Sequence, residues 1–351
     1  MKKPILKFNK KFVFPRNPGR INLAQLKTHK TEPETGTSIA YNNICFIVNG
    51  KKTMFKNYKF GPQEISSFRA LNEVICYLVG KQIGVKCAKC DFAKYHSDKK
   101  IDYGTISFFD LNNNQKTISL KKLQEKTNTY CLRTLEEIEN LLKDYKKSHH
   151  INIDINKIMF DLYKLCVFDY LTMQCDRNTG NILFKQTYGR TRPINLELYP
   201  IIDNEHSFGT FVIDDHLFGV IDKLTAENIL NNYHSFCRRI TVRQKFAYHN
   251  QYEILDNNRE IYEMVEYAKE KGYINFLKNA IAKYDITKII NKLKESGIKI
   301  SKSEQEWYEL CSYIQKQNLA YELIHHQESQ LVFKNQDNEQ NSTDSFGPRI
   351  I

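Results

Sequence analysis

Asp176, Asn181 and Asp203 are the residues whose types and spacing could do chemistry. They stand in Asp176-Arg-Asn-Thr-Gly-Asn181-Ile-Leu-Phe and, 22 residues after Asn181, at the end of Tyr199-Pro-Ile-Ile-Asp203. Moving a phosphoryl group from ATP asks three things of a protein. A carboxylate must orient or deprotonate the attacking hydroxyl, oxygen ligands must hold magnesium, and a cation must steady the nucleotide phosphates. A D-x-x-x-x-N loop, a strand and a terminal Asp supply the first two. The gap lets Asp176 face a substrate while Asn181, at the base of the next strand, faces metal. Magnesium takes hard oxygen ligands, so Asn181 and Asp203 suit it where His or Cys would not. The bare D-x-x-x-x-N spacing is common by chance. Its weight comes from context: a buried helix, a polar loop, an apolar triplet, then an apolar strand that breaks at Asp-Asn. The bland alternative is that Asp176 and Arg177 pair with each other and cap the preceding helix.

The cation is sought upstream. Lys56 follows Met54-Phe55 on a strand, and by the two-residue period it shares a face with Met54 and Tyr58. Glu73, near the start of the next helix, is placed to hold it as an ion pair. Lys51, Lys52 and Lys59 compete by proximity, and the plain reading of Lys56 is a surface lysine.

These residues need elements to position them. ICFIV-NG-KKTMF is a hairpin signal, because a two-residue type I′ turn favours Asn-Gly. Residues 66–83 carry apolar positions at helical spacing, and Gly84 is a helix stop. A strand is expected over 101–110. Thr134 with Glu137 forms a capping-box pattern ahead of a helix, and 154–173 reads as a long, buried helix. ILF and LYPII read as strands, and further helices are expected at 223–232, 258–283, 284–296 and 302–326. The fold class that follows is α+β, with a small β-rich N-terminal lobe and a larger, mostly helical C-terminal lobe.

Composition narrows the partners. Lys and Arg number 52 against 40 Asp and Glu, a net charge of +12. Basic residues cluster without acids in residues 1–31, an arm suited to polyanions, but elsewhere they alternate with acids. No helix-turn-helix, zinc finger or RNP-type stretch appears, so nucleic acid is not expected as the primary partner. No apolar run reaches the ~18 residues of a membrane span, and lysines interrupt the N-terminal segment before a secretory core can form. A cytoplasmic protein is expected, and the resemblance given below adds an effector secreted by a non-classical route. The nine cysteines, an odd number set mostly in apolar runs, read as reduced thiols. Cys87-x-x-Cys90 lacks a second ligand pair and reads as strand rather than zinc site. His149-His150 reads as solvated.

In four segments taken in order, the sequence resembles the HipA-like serine/threonine kinase family, closest to its small stand-alone CtkA-type (cell-translocating kinase) branch. TMFK56 resembles the strand lysine. NE73VICYLVGKQIGV resembles the helix that carries its partner. FDYLTMQCD176RNTGN181ILF resembles the catalytic block, and YPIID203NEHS207F the metal-loop segment. The resemblance, over roughly 40–325, implies a bilobal protein-kinase-like fold, ATP and Mg2+ as cofactors, and a protein substrate, with an antitoxin or a host protein as a further partner. It makes Asp176 the catalytic base, Asn181 and Asp203 the metal ligands and Lys56 the phosphate contact. It also makes ISFFD110 a hinge whose backbone near Phe108 and Phe109 faces adenine. Asn178 stands where the family has His, Gln174 where it has Asn, and Glu205 where it has Gly. The phosphate-covering loop is assigned to Gly36, Thr37 and Ser38, whose amides would approach the phosphates. Ser38 or Thr37 is a candidate for autophosphorylation.

The expected organisation is residues 1–40 as basic arm and phosphate-covering loop, 41–110 as N-lobe, 111–326 as helical C-lobe and 327–351 as a flexible tail. Two competing functions are kept. One is a phosphoinositide-like lipid or small-molecule kinase, disfavoured because residues 204–216 contain no Lys or Arg. The other is a non-catalytic pseudokinase or polyanion-binding scaffold.

Overall fold

The computed structural model describes residues 21–22, 28–31, 44–48, 51–56, 63–97, 100–129, 132, 134–210, 242 and 257–343. Gly36, Thr37, Ser38, the Asn49-Gly50 turn and the helix expected over 223–232 lie outside the described residues.

The N-terminal part is a six-stranded sheet with one long helix. Strands β1 (Ile21–Asn22), β2 (Thr28–Thr31), β3 (Ile44–Val48), β4 (Lys51–Lys56), β5 (Cys90–Ser97) and β6 (Lys100–Phe109) are arranged in the order β1-β5-β6-β4-β3-β2. β3 and β4 pair antiparallel with Val48 opposite Lys51, the register a two-residue hairpin dictates. β4 lies between β3 and β6, with Lys56 opposite Thr105. Thr53, Met54, Phe55 and Lys56 are all buried, so Lys56 is not the surface lysine of the bland reading.

Helix α1 (Gln63–Ile83) packs on β5 and β6. Phe68, Leu71 and Ile75 are buried as their spacing predicts, but so are Asn72 and Glu73. Glu73 lies at the middle of the helix rather than near its start, because the helix begins three residues earlier than the apolar stripe shows. Gly84 ends it at φ +81°, a region that favours glycine. The chain then folds back so tightly that a Cβ on Gly80 would lie 2.3 Å from Cys87 Sγ and 3.0 Å from the Val85 carbonyl. Gly80→Ala is therefore expected to lose stability, by about 1–3 kcal/mol from overpacking, despite alanine's better helix propensity. An unchanged urea midpoint would contradict it.

The C-terminal part joins a second sheet to a helical body. Its strands β7 (Gln115–Ser119), β8 (Asn152–Ile153), β9 (Leu183–Tyr188) and β10 (Pro193–Leu198) run in the order β7-β9-β10-β8. The helices are α2 (Leu120–Thr127), α3 (Leu135–His149), α4 (Ile155–Leu171), α5 (Asn257–Glu270), α6 (Ile274–Lys283), α7 (Ile286–Glu295) and α8 (Lys302–Thr343). Thr134 and Glu137 form the expected capping box on α3. α4, capped by Asp154, is buried along most of its length. The single helix expected over 258–283 is two, broken at Gly272 with φ +75°. α8 continues to Thr343, past the boundary at 327 where a flexible tail is expected. The strand expected at LYPII is also displaced. β10 stops at Leu198, and Ile201 makes a lone parallel bridge to Cys87, exchanging hydrogen bonds with Lys86 and Ala88.

That bridge stitches the segment leading to Asp203 onto the link between α1 and β5. Gln82 ties the end of α1 to the Asp285 cap of α7 through two hydrogen bonds. α1 is thus enclosed between the N-terminal sheet and the C-terminal helices.

Candidate active site

Lys56 is the centre of the site. Its Nζ lies 2.7 Å from Glu73 Oε1 and 3.4 Å from Glu205 Oε2, and it also hydrogen-bonds Asp203 Oδ1. β4 delivers the lysine, α1 delivers Glu73, and the loop after Ile201 delivers the other two acids. Asp203 adopts φ +63°, a left-handed conformation that Asp tolerates better than most residues. Its neighbour Asn204 donates its backbone N–H to Glu73 Oε2 at 3.1 Å. Both oxygens of Glu73 are therefore used, one on the lysine and one on the loop.

The electrostatics follow from burial. Desolvation raises the pKa of Glu73, against the pull of Lys56. Burial acts on Glu205 in the same sense, but Lys56 and His206 outweigh it and hold that carboxyl at about 2. His206, whose Nε2 is 3.3 Å from Glu205 Oε1, is opposed by desolvation and yet shifted upward by this partner.

The Asp176 loop leaves α4 and is fastened to Asp203 by one carboxamide. Gln174 donates to the Asp203 carbonyl at 3.0 Å and accepts from the Asp176 N–H at 3.0 Å. Asn178 donates to Asp176 Oδ1 at 3.1 Å, and its own Oδ1 accepts from Gly180 N–H at 2.9 Å. Asn178 therefore orients the Asp176 carboxylate. Asn181 Nδ2 donates to the Asp176 carbonyl at 2.8 Å, which directs the amide nitrogen into the loop and leaves the side-chain oxygen outside that bond. Burial raises the pKa of Asp176, with the His206 charge pulling the other way.

Arg177 does not pair with Asp176. Fully buried, it forms an ion pair with Asp169 on α4. It also donates to the Ile202 carbonyl and, at 2.6 Å, to Asn204 Oδ1. Thr172, not Asp176 or Arg177, is the C-cap of α4, so the capping alternative does not describe this loop.

A second set of bonds clamps the loop after Asp203. Asn72 Nδ2 contacts the carbonyls of Glu205 and Ser207 at 3.0 and 2.8 Å, and Asn72 Oδ1 accepts from Tyr308 OH at 2.7 Å. Trp307 Nε1 donates to the Phe208 carbonyl at 2.8 Å. α1, the loop after Asp203 and α8 are thereby joined by bonds that span 99 to 236 residues of sequence.

Beside the lysine lies an apolar cluster of Met54, Ala88, Phe109, Leu183, Tyr199 and Ile202, with Leu111 at its edge. Phe109 stacks on Tyr199 at a centroid distance of 5.9 Å. The Phe108 N–H already donates to the Lys89 carbonyl at 3.0 Å, so it is not available to a bound ring. What Phe108 and Phe109 offer the apolar cluster is the Phe109 ring.

Glu73, Asp203 and Glu205 bring carboxylate oxygens within 4.8 Å of one another. Carboxylate oxygens of this kind suit a hard divalent cation such as Mg2+, although here all three acids share Lys56 as their counter-charge. Asn181 is not in that cluster. It connects to Asp203 through Asp176 and Gln174, so the structure places Asp176, Asn181, Asp203, Lys56 and Glu73 in one hydrogen-bonded site. The sequence reading missed the roles of Gln174, Asn72, Tyr308 and Trp307. Gln174 carried a signal, being a carboxamide where the resembling family also has one. Cys87 and Cys90 are free thiols, and burial raises the pKa of both. Cys90 opens β5 as expected, but Cys87 precedes the strand.

No protein-family model matches this chain, and no curated protein sequence does. Solved structures do. The chain is similar to the Helicobacter pylori proinflammatory kinase CtkA with a TM-score of 0.53 at 13% identity, covering 82% of this chain and 95% of that one. HipA of Shewanella oneidensis MR-1, solved with HipB and operator DNA, aligns with a TM-score of 0.39 at 11% identity over 78% of this chain and 57% of that one. The first of these likenesses shows the fold: an α+β fold similar to that of CtkA, with a sheet-rich N-terminal part and a helical C-terminal part. Among the described residues, no helix is long and apolar enough to cross a membrane.

Proposed function

We propose that this chain is an ATP- and Mg2+-dependent serine/threonine protein kinase of HipA-like type, with Asp176 as the base that accepts the proton of the attacking hydroxyl. The observation that carries the reading is the convergence on Lys56. A strand lysine, a helix glutamate and a loop aspartate meet in one buried ion cluster, and the loop of Asp176 is tied to that same aspartate by Gln174. That is the set of parts phosphoryl transfer needs, delivered by the elements expected to deliver them.

In this reading Lys56 steadies the nucleotide phosphates and Glu73 holds the lysine. The apolar cluster around Phe109 takes the adenine ring. Asp203 and Asn181 would hold Mg2+, which when bound neutralises charge developing on the phosphate oxygens. Asn178 fixes one oxygen of Asp176 and leaves the other to meet the substrate hydroxyl. Asn178 therefore replaces the family's His without loss of the loop's order. An amide cannot act as a base, so the proton's destination is Asp176 alone. The amides at Gly36, Thr37 and Ser38 complete the proposal as the cover over the phosphates, and the substrate is a protein hydroxyl.

The test is transfer of label from γ-labelled ATP with Mg2+ by the full chain, into a protein lysate and into mixed phosphoinositide vesicles, wild type beside Asp203→Ala. Label in protein that the variant abolishes is the expected result. Label confined to lipid would assign the lipid-kinase reading instead, and neither transfer nor nucleotide binding would leave the scaffold reading.

A further inference from the structure

Lysine has three N–H donors, and in this site three carboxylates face them: Glu73, Asp203 and Glu205. A nucleotide phosphate can gain a hydrogen bond from Lys56 only if one acid withdraws. The three are not equally able to do so. The Glu73 and Glu205 side chains are 3% and 2% exposed, whereas that of Asp203 is 28% exposed. Glu73 is held at its second oxygen by the Asn204 N–H. Glu205 is held at its second oxygen by His206, and at its carbonyl by Asn72 and Thr210. Both oxygens of Glu205 thus face cations of the chain itself, so it acts as an anchor for the lysine rather than as a spare metal ligand.

We propose that Glu205 is a positioning residue that keeps Lys56 saturated, so that the lysine can engage a nucleotide only after Asp203 turns from it to a divalent cation. The inference rests on the kinase reading above and adds its regulation: nucleotide binding is coupled to metal binding by the third carboxylate.

The test is calorimetric binding of ADP to the full chain, in EDTA and in saturating Mg2+, for wild type, Glu205→Gln and Glu205→Gly, with thermal unfolding of each as a check on folding. In EDTA Glu205→Gly is expected to bind ADP roughly tenfold tighter than wild type, since a hydrogen bond to a charged group is worth about that factor or more, and Glu205→Gln, which keeps an amide oxygen to accept from Lys56, to gain less. In Mg2+ their affinity should change by less than about threefold on the same scale, so the metal enhancement collapses. Loss of a negative charge acting only at long range would strengthen both conditions alike and leave the enhancement unchanged; that outcome overturns the proposal. If Glu205→Gln does not fold, Glu205→Gly decides. Should wild type bind ADP in neither condition, the kinase reading itself fails and takes this inference with it. Binding that is intact and metal-enhanced, but indifferent to Glu205, overturns the coupling alone.

Discussion

Asp176→Asn is expected to lower kcat for phosphoryl transfer by ~10²–10⁴-fold, the range a positioned general base contributes, while the affinity for Mg-ADP stays near wild type. The reasoning is local. The substituted side chain keeps an oxygen to accept from Asn178 Nδ2, and its backbone N–H still reaches Gln174, so the loop keeps its shape and only the proton acceptor is lost. A pH profile separates this from a structural effect. Burial raises the Asp176 pKa above the ordinary carboxylate value of 3.8, so the base is lost to protonation at a higher pH than an exposed aspartate would be. The wild-type acid limb should therefore lie above that value. The stability sign is the reverse of the activity sign. An acid whose folded pKa is raised favours the folded state most below its unfolded pKa, and that advantage is lost as pH rises through the folded pKa. At neutral pH the amide should accordingly be no less stable than the acid. A variant that unfolds earlier, or one that keeps more than about a tenth of wild-type kcat, speaks against Asp176 as the base.

How far the chain could be read before it was folded depended on the range of the interactions involved. Lys56, Glu73, Asp176, Asn181 and Asp203 were legible because the elements that carry them have local signatures: two-residue alternation on β4, an apolar stripe on α1, and a polar loop between two apolar runs. The capping box at Thr134 was legible for the same reason. A second one, in which Ser301 and Glu304 exchange hydrogen bonds ahead of α8, has the same spacing and could have been read. What was not legible is what the fold brings from afar. Nothing near Asn72 in sequence announces that Tyr308 will hydrogen-bond it, and an asparagine inside a helix ordinarily argues for an exposed position. Short strands such as β7 and β8 pair only because β9 and β10 arrive to receive them, so their own residues carry little signal. Residue Glu205 was legible as a departure from a family pattern, but its target was not. Only the fold brings it to the same ammonium group as Glu73 and Asp203.

Those long-range bonds also bear on how the site is switched. In kinase-like folds the lysine–glutamate pair is the contact whose making and breaking sets activity. Here α1 is pinned on one side by Tyr308 of α8 through Asn72, and at its end by Asp285 of α7 through Gln82. Glu73 moves away from Lys56 only if these bonds break as well. The pair is therefore built in, and under the proposal above control falls to the smaller rearrangement available at the site, the release of Asp203.

Asp169→Ala is expected to cost about 3–5 kcal/mol of folding free energy, because it leaves the Arg177 guanidinium buried without its counter-charge. Arg177 and Asp169 side chains are 1% and 2% exposed, so water cannot take over. Burial alone would lower the arginine pKa, and the attraction of Asp169 more than offsets it. Guanidinium denaturation should show the loss as a lower midpoint at unchanged slope. The pair does more than stabilise, since Arg177 also holds the Ile202 carbonyl and Asn204 beside Asp203. A double variant separates the two roles. Asp169→Leu with Arg177→Met removes both charges and keeps comparable volume, and buried pairs replaced in this way often recover or exceed the original stability. The double variant should therefore refold to near wild-type stability and yet transfer phosphate poorly, because the segment that carries Asp203 then loses the bonds that Arg177 makes to the Ile202 carbonyl and Asn204. If it regains stability and activity together, Arg177 is a counter-charge and no more. If the single variant is as stable as wild type, the buried pair does not hold the catalytic loop to α4.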